Sequence, residues 1–190
     1  EQVTVAEATV EAMRRAFTQV RHGRPGPVLV EFPTDILREE ISDHLDYQPV
    51  PRLKSGPDPV SVSRIAEALV GAARPVIVAG QGVHYAKAWP QLKALAELLE
   101  APVMTTWPGK SAFPESHPLS LGASTRSGSK PLFDYMKRAD WVFAIGSSLT
   151  RTPFGPNVPP GKQIIHSTNF PEDVNKDYAV QKTFLAKLDK

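Results

Sequence analysis

The chain has 190 residues, with 22 Lys and Arg against 20 Asp and Glu, a net charge of +2 that lacks the strong basic excess of a nucleic-acid binder. Its 41% hydrophobic and 22% charged residues describe a globular protein, and no apolar run approaches the ~18 residues of a membrane span. The absence of cysteine excludes disulfides, thiolate zinc sites and cysteine nucleophiles together.

The 19 prolines, about twice the usual ~5%, stand beside apolar runs and punctuate short elements. Glu1 in first place and the lack of a charged and apolar leader suggest an excised piece. Thr4 and Glu7 have the spacing of a capping box, so a helix should start there. Ala6, Val10, Met13, Phe17 and Val20 mark its apolar face, and Gly23 its stop. The apolar run 27–32 is long enough for one buried strand. Residues 37–58 turn acidic and then proline-rich without sustained period, which reads as a linker between domains.

Asp58 and Pro59 suit an N-cap and first helical position, with Val62, Ile65, Leu69 and Ala73 along one face. An alternation follows: strand 75–79, helix 90–100 with Leu92, Leu95 and Leu99 inward, strand 102–106, helix 132–138, and strands 141–146 and 163–167. Several of these strands are apolar on both faces, as in a parallel sheet covered on both sides. The expected class is α/β, a doubly wound, mostly parallel Rossmann-like sheet. In such sheets ligands bind beyond the carboxyl ends of the strands.

At those ends the motifs are incomplete. Gly80-Gln81-Gly82 follows a strand, but the dinucleotide fingerprint wants a small residue at Tyr85 and an acid where Thr105 and Thr106 stand. The glycines serve equally a tight turn or close approach to a phosphate. Gly109-Lys110-Ser111 has the tail of a phosphate-binding loop, with Met104 where its first glycine belongs. Gly146-Ser147-Ser148-Leu149-Thr150 approximates a nucleophile elbow and ends in the wrong residue. The polar stretch 122–129 could line a crevice or form a loop, and Arg151 could meet a phosphate or simply face solvent. His22, His44, His84, His117 and His166 lack metal-ligand spacing. No catalytic or metal-binding residue emerges.

The order of segments resembles the thiamine-diphosphate-dependent enzymes of the acetolactate synthase and 2-oxoacid decarboxylase type. The resemblance begins at Gly23-Arg24-Pro25-Gly26-Pro27 and runs on through Phe32-Pro33-Thr34-Asp35-Ile36. It continues in Arg74-Pro75-Val76-Ile77-Val78-Ala79-Gly80-Gln81-Gly82, Ala101-Pro102-Val103-Met104-Thr105-Thr106 and His117-Pro118-Leu119-Ser120-Leu121-Gly122. Arg138-Ala139-Asp140-Trp141 with its following strand, and Gln163-Ile164-Ile165-His166, complete it.

The resemblance implies that residues 1–36 are the tail of an N-terminal pyrimidine-binding domain and 37–58 a linker. Residues 59–180 would be the central domain, and 181–190 the start of the crossing to a C-terminal domain. It implies a cytoplasmic, homodimeric or homotetrameric parent that uses thiamine diphosphate and Mg²⁺ to decarboxylate or join 2-oxo acids. The activating glutamate and the Gly-Asp-Gly motif would lie outside this piece, whose partners are then the other domains of its own polypeptide, with neither nucleic acid nor membrane involved. The central crevice, formed by Gly80, Gln81, Gly82, Thr105, Thr106, Gly122, Ser148 and Asn169, would hold FAD or ADP in some relatives and nothing in others. Flavin-binding relatives carry Asp-Ile-Asp where this chain has Ser167-Thr168-Asn169, which implies an empty or weakly occupied crevice and a structural role. The alternative is an independent FAD- or ADP-binding regulatory module. A sirtuin-like deacylase would bring a four-cysteine zinc site, which this sequence cannot form.

Overall fold

The computed structural model describes all residues except 45, 50–55, 125–127, 154, 156 and 186–190, and only the backbone of 184 and 185. Parts of the expected linkers and of the polar stretch 122–129 therefore lie outside the described residues. The chain divides into two compact units, Glu1–Lys54 and Ser55–Lys190.

In the first unit α1 spans Thr9–Arg21, preceded by a single 3-10 turn over Ala6–Ala8. The expected capping box is not formed: Val5 and Ala8 occupy the cap positions, and neither cap has a side-chain bond. Thr9 instead donates its hydroxyl to the carbonyl of Ala6 at 2.6 Å. The run 27–32 does not make the buried strand expected of it. Among the described residues it pairs only through a parallel bridge between Glu31 and Gln2, and Leu29 is 77% exposed. Apolar sequence makes a strand only where neighbouring strands accept its backbone, and this unit supplies one short neighbour. Part of the expected linker folds back onto α1. Tyr47 meets Phe17 edge to face at 6.3 Å, and Arg14 donates to the carbonyl of Asp46.

The second unit opens with α2, Pro59–Val70, whose N-cap Asp58 accepts from Ser61 N at 2.8 Å. Then follow β1 (Pro75–Ala79), α3 (Gly82–Ala86), α4 (Trp89–Leu98), β2 (Val103–Thr105) and β3 (Ser120–Ala123). The series ends with α5 (Lys130–Arg138), β4 (Trp141–Ile145), β5 (Gln163–Thr168) and β6 (Lys182–Leu185). The sheet has six strands in the order β3-β2-β1-β4-β5-β6, every pairing parallel. This is the doubly wound α/β fold expected, with the strand order reversing between β1 and β4.

Two strands escape sequence reading. β3 is Ser-Leu-Gly-Ala, too polar and glycine-rich to announce itself, and it pairs with β2 through an irregular register at Val103 and Met104. β6 lies beyond position 180, where a linker was expected. Gln181 secures it by donating its N–H to Ile164 O and accepting from Ile164 N through its side chain, and Lys182 adds a bond to the carbonyl of Arg64 in α2. The sheet thus runs past the expected boundary.

Both faces are apolar and covered, which is why the central strands carry little polarity. On one face Ile77, Val103, Phe143 and Ile165 pack under α2, α3 and α4 through Ile65, Leu69, Val83, Leu92 and Ala96. On the other, Val76, Val78, Met104, Val142 and Ala144 pack under α5 through Leu132 and Met136, joined by Leu149 and Val158. The amino edge is fastened by Asp140, whose carboxylate accepts from Ala73 N, Arg74 N and Trp141 N at 2.7–2.9 Å. Burial pushes this carboxyl up, but the backbone donors outweigh it and hold it below its ordinary value. Lys162 caps the end of α5 by donating to the carbonyls of Lys137 and Ala139 at 2.5 and 2.7 Å.

Candidate functional site at the carboxyl edge of the sheet

Because the strands are all parallel, the segments singled out in the sequence lie along one edge. In sheet order they are Gly122 on β3, Thr105 and Thr106 at the end of β2, Gly80, Gln81 and Gly82 after β1, Ser148 after β4 and Asn169 after β5. Neighbouring strands stand ~4.8 Å apart, so the row extends over roughly 19 Å. The fold therefore brings the expected residues to the place where this class of sheet holds ligands.

The glycines there are occupied by protein. A Cβ on Gly80 would stand 2.2 Å from the carbonyl oxygen of Gly146, and one on Gly82 2.6 Å from Gly146 Cα. One on Gly109 would stand 2.5 Å from Ala79 O. Gly146 itself has a left-handed φ of +63° and abuts Val83 N. The loops after β1, β2 and β4 thus interlock backbone to backbone. Gly80 N donates to Ile145 O at 2.9 Å, Gly82 N to Gly146 O at 2.8 Å and Thr106 N to Ala79 O at 2.9 Å. Val83, His84 and Tyr85 also donate their N–H groups within the turn. A phosphate held by a glycine turn needs such donors turned outward, and these six are spent on protein carbonyls.

The remaining candidates are similarly engaged. Thr106 Oγ1 accepts from Gly109 N at 3.2 Å, and Ser148 Oγ pairs with Thr150 Oγ1 at 3.0 Å. Thr105 is buried and its carbonyl accepts from Ser124 N, while Asn169 is half-buried. Gly122 differs: its φ is +80° and nothing lies within 4 Å of where a Cβ would be, so its glycine serves backbone conformation alone. The Gly109-Lys110-Ser111 stretch is a turn, with the lysine ammonium 3.7 Å from Glu115. Arg151 donates to the carbonyl of Asp177 and lies over the Tyr178 ring at 4.7 Å.

Sequence reading missed the polar groups of the β4–β5 end. His166 is fully buried, with Nε2 2.7 Å from Ser147 O and no partner for Nδ1. Burial, the largest influence, pushes its imidazole below the ordinary value. Lys176 bridges buried Asp173 and Thr150 Oγ1 at 2.8 Å each, closing the loops over β4 and β5. The His166–Ser147 and Lys176–Thr150 pairings have no local signal, because each joins residues that meet only when β4 and β5 align. Among the described residues no three His, Asp or Glu converge as a metal site, and no helix is long and apolar enough to cross a membrane.

Fold and edge together define a doubly wound α/β domain whose glycine loops close on one another. The chain belongs to the thiamine pyrophosphate enzyme central-domain family, whose model matches residues 62–190. It is 35% identical over 184 residues to the glyoxylate carboligase of Escherichia coli O157:H7, covering 92% of this chain and 30% of that protein. It is 33% identical over 181 residues to the acetolactate synthase large subunit of Corynebacterium glutamicum, covering 90% and 28%. A Mycobacterium smegmatis enzyme described as thiamin diphosphate-dependent superimposes with a TM-score of 0.81 at 25% identity, over 99% of this chain and 37% of that one. Benzoylformate decarboxylase from Polynucleobacter necessarius shares the fold, with a TM-score of 0.80, 24% identity and coverage of 98% and 35%. The chain spans about three tenths of the length of the curated relatives it matches.

Proposed function

We propose that this chain is the central domain of a larger thiamine-diphosphate- and Mg²⁺-dependent enzyme that decarboxylates or carboligates 2-oxo acids, and that its role there is structural. The observation that carries the reading is the self-closed carboxyl edge in a chain of this family: Gly80, Gly82, Gly109 and Gly146 are spent on one another. Thiamine diphosphate would supply the carbon chemistry, as an electron sink for the carbanion left when carbon dioxide departs. The glycine-loop donors Gly80 N, Gly82 N and Thr106 N are bonded to protein carbonyls, and no acidic cluster converges for a metal among the described residues, so these groups do not fit that cofactor. Its anchorage is assigned to other parts of the polypeptide. What this chain contributes is a rigid sheet, pinned at one edge by Asp140 and at the other by the interlocked loops.

Calorimetric titration with ADP and then FAD tests the structural reading. The expected result is no binding heat up to about 1 mM ligand, the level at which even a 4 kcal/mol interaction registers. Micromolar binding would assign Gly80, Gln81, Gly82, Thr105, Thr106, Gly122, Ser148 and Asn169 to a working nucleotide site and favour the regulatory module instead. The enzymatic reading is tested separately with the full-length protein, which should release carbon dioxide from members of a 2-oxo acid panel when thiamine diphosphate and Mg²⁺ are supplied.

A further inference from the structure

Three large aromatic side chains stand in the open where α3, α4 and the turn after β2 come together: Trp107 is 64% exposed, Tyr85 54% and Trp89 41%. The Trp89 ring is tied down, and the backbone carrying the other two is fixed. Trp89 Nε1 donates to His84 Nδ1 at 2.9 Å, and the ring's other nitrogen, which then carries the proton, donates to Lys110 O at 2.9 Å. His84 thereby ties α3, the first turn of α4 and the 3-10 turn Trp107–Gly109 into one plate. That turn is fixed in its own right by the Thr106 cap and by Gly109 pressed against Ala79 O. Exposed tryptophan and tyrosine on a fixed backbone are what the centre of a protein interface is made of.

The path of the chain indicates what covers them. All six strands run parallel, so β6 delivers the backbone at Leu185 to the carboxyl edge, the edge on which the turns carrying Tyr85 and Trp107 also lie. β6 stands three strands from β1, about 14 Å at ~4.8 Å per strand, a gap that a handful of extended residues crosses. The relatives are more than three times the length of this chain. We propose that Tyr85, Trp89 and Trp107 form the docking face for a further domain of the same polypeptide, one that presents an apolar surface to them. This rests on the reading of the chain as the central domain of a larger enzyme.

The test is hydroxyl-radical footprinting of the full-length protein by mass spectrometry, after its mass has been measured. Trp107 and Tyr85 should be oxidised at least about fivefold more slowly than their exposure here dictates, since the centre of an interface is fully desolvated. Protection should persist on dilution, and Trp107→Ser should restore rapid oxidation of Tyr85 and Trp89 without unfolding the sheet. A protein no longer than this chain would overturn both the larger-enzyme reading and this proposal. Rapid oxidation of Trp107 in a longer polypeptide would overturn the docking face alone, as would protection lost on dilution, which would assign the patch to contact between copies.

Discussion

Replacing Gly80 with alanine separates the two uses of its glycine, close packing of protein on protein or close approach of a ligand. The new Cβ would lie 2.2 Å from Gly146 O and 2.6 Å from Ser147 Cα, both backbone atoms that no side-chain rotation can clear. Restoring ordinary contact requires the loops after β1 and β4 to part by about 1.2 Å, which lengthens the 2.9 Å bond from Gly80 N to Ile145 O and the 2.8 Å bond from Gly82 N to Gly146 O beyond hydrogen-bond range. Overpacking costs about 1–3 kcal/mol and each lost bond about 1 kcal/mol, giving about 4 kcal/mol in all. With a urea dependence of about 2 kcal/mol per molar, the unfolding midpoint of Gly80→Ala should fall by about 2 M. Gly122→Ala is the control: space is open there, and only its left-handed backbone is penalised, by about 1–2 kcal/mol. Circular dichroism followed against urea reads both. A Gly80→Ala protein that loses less than Gly122→Ala would refute the interlocking argument.

Asp140→Ala removes the acceptor for three backbone donors at the amino edge and should cost about 2 kcal/mol, the exposure of the group moderating each bond. Because this carboxyl is held below its ordinary value when folded, its contribution is present above the unfolded value and fades as pH falls through the folded one; urea midpoints of the parent, but not of the variant, should carry this component below about pH 4. His166 is shifted the same way for the opposite reason, since burial disfavours its charged form. Its stabilising effect is complete above the ordinary value of 6.5 and is lost as pH falls from there toward the folded value, so the parent should weaken on acidification and His166→Gln should show a flatter profile. Lys162→Met leaves two carbonyls at the end of α5 without their ammonium cap and should cost about 1 kcal/mol, read as a lower midpoint with unchanged urea dependence.

The sequence by itself determined the elements whose signals are local. Pro75–Ala79 and Trp141–Ile145 are continuous apolar runs, which only a doubly covered sheet tolerates, and Asp58 with Pro59 marks a helix start by chemistry confined to a few residues. Their alternation sufficed for the parallel α/β class, and hence for the edge at which Gly80, Thr105, Ser148 and Asn169 would gather. Tertiary structure decided whatever depends on a partner distant in sequence. β3 and β6 are strands because β2 and β5 offer them backbone donors and acceptors, whereas the more apolar run 27–32 lacks such an array. The meaning of the glycines was likewise undecidable from the chain, since a missing side chain makes the same room for a phosphate as for another loop. Gly146 fills that room, and it meets Gly80 only after the sheet has placed β1 beside β4.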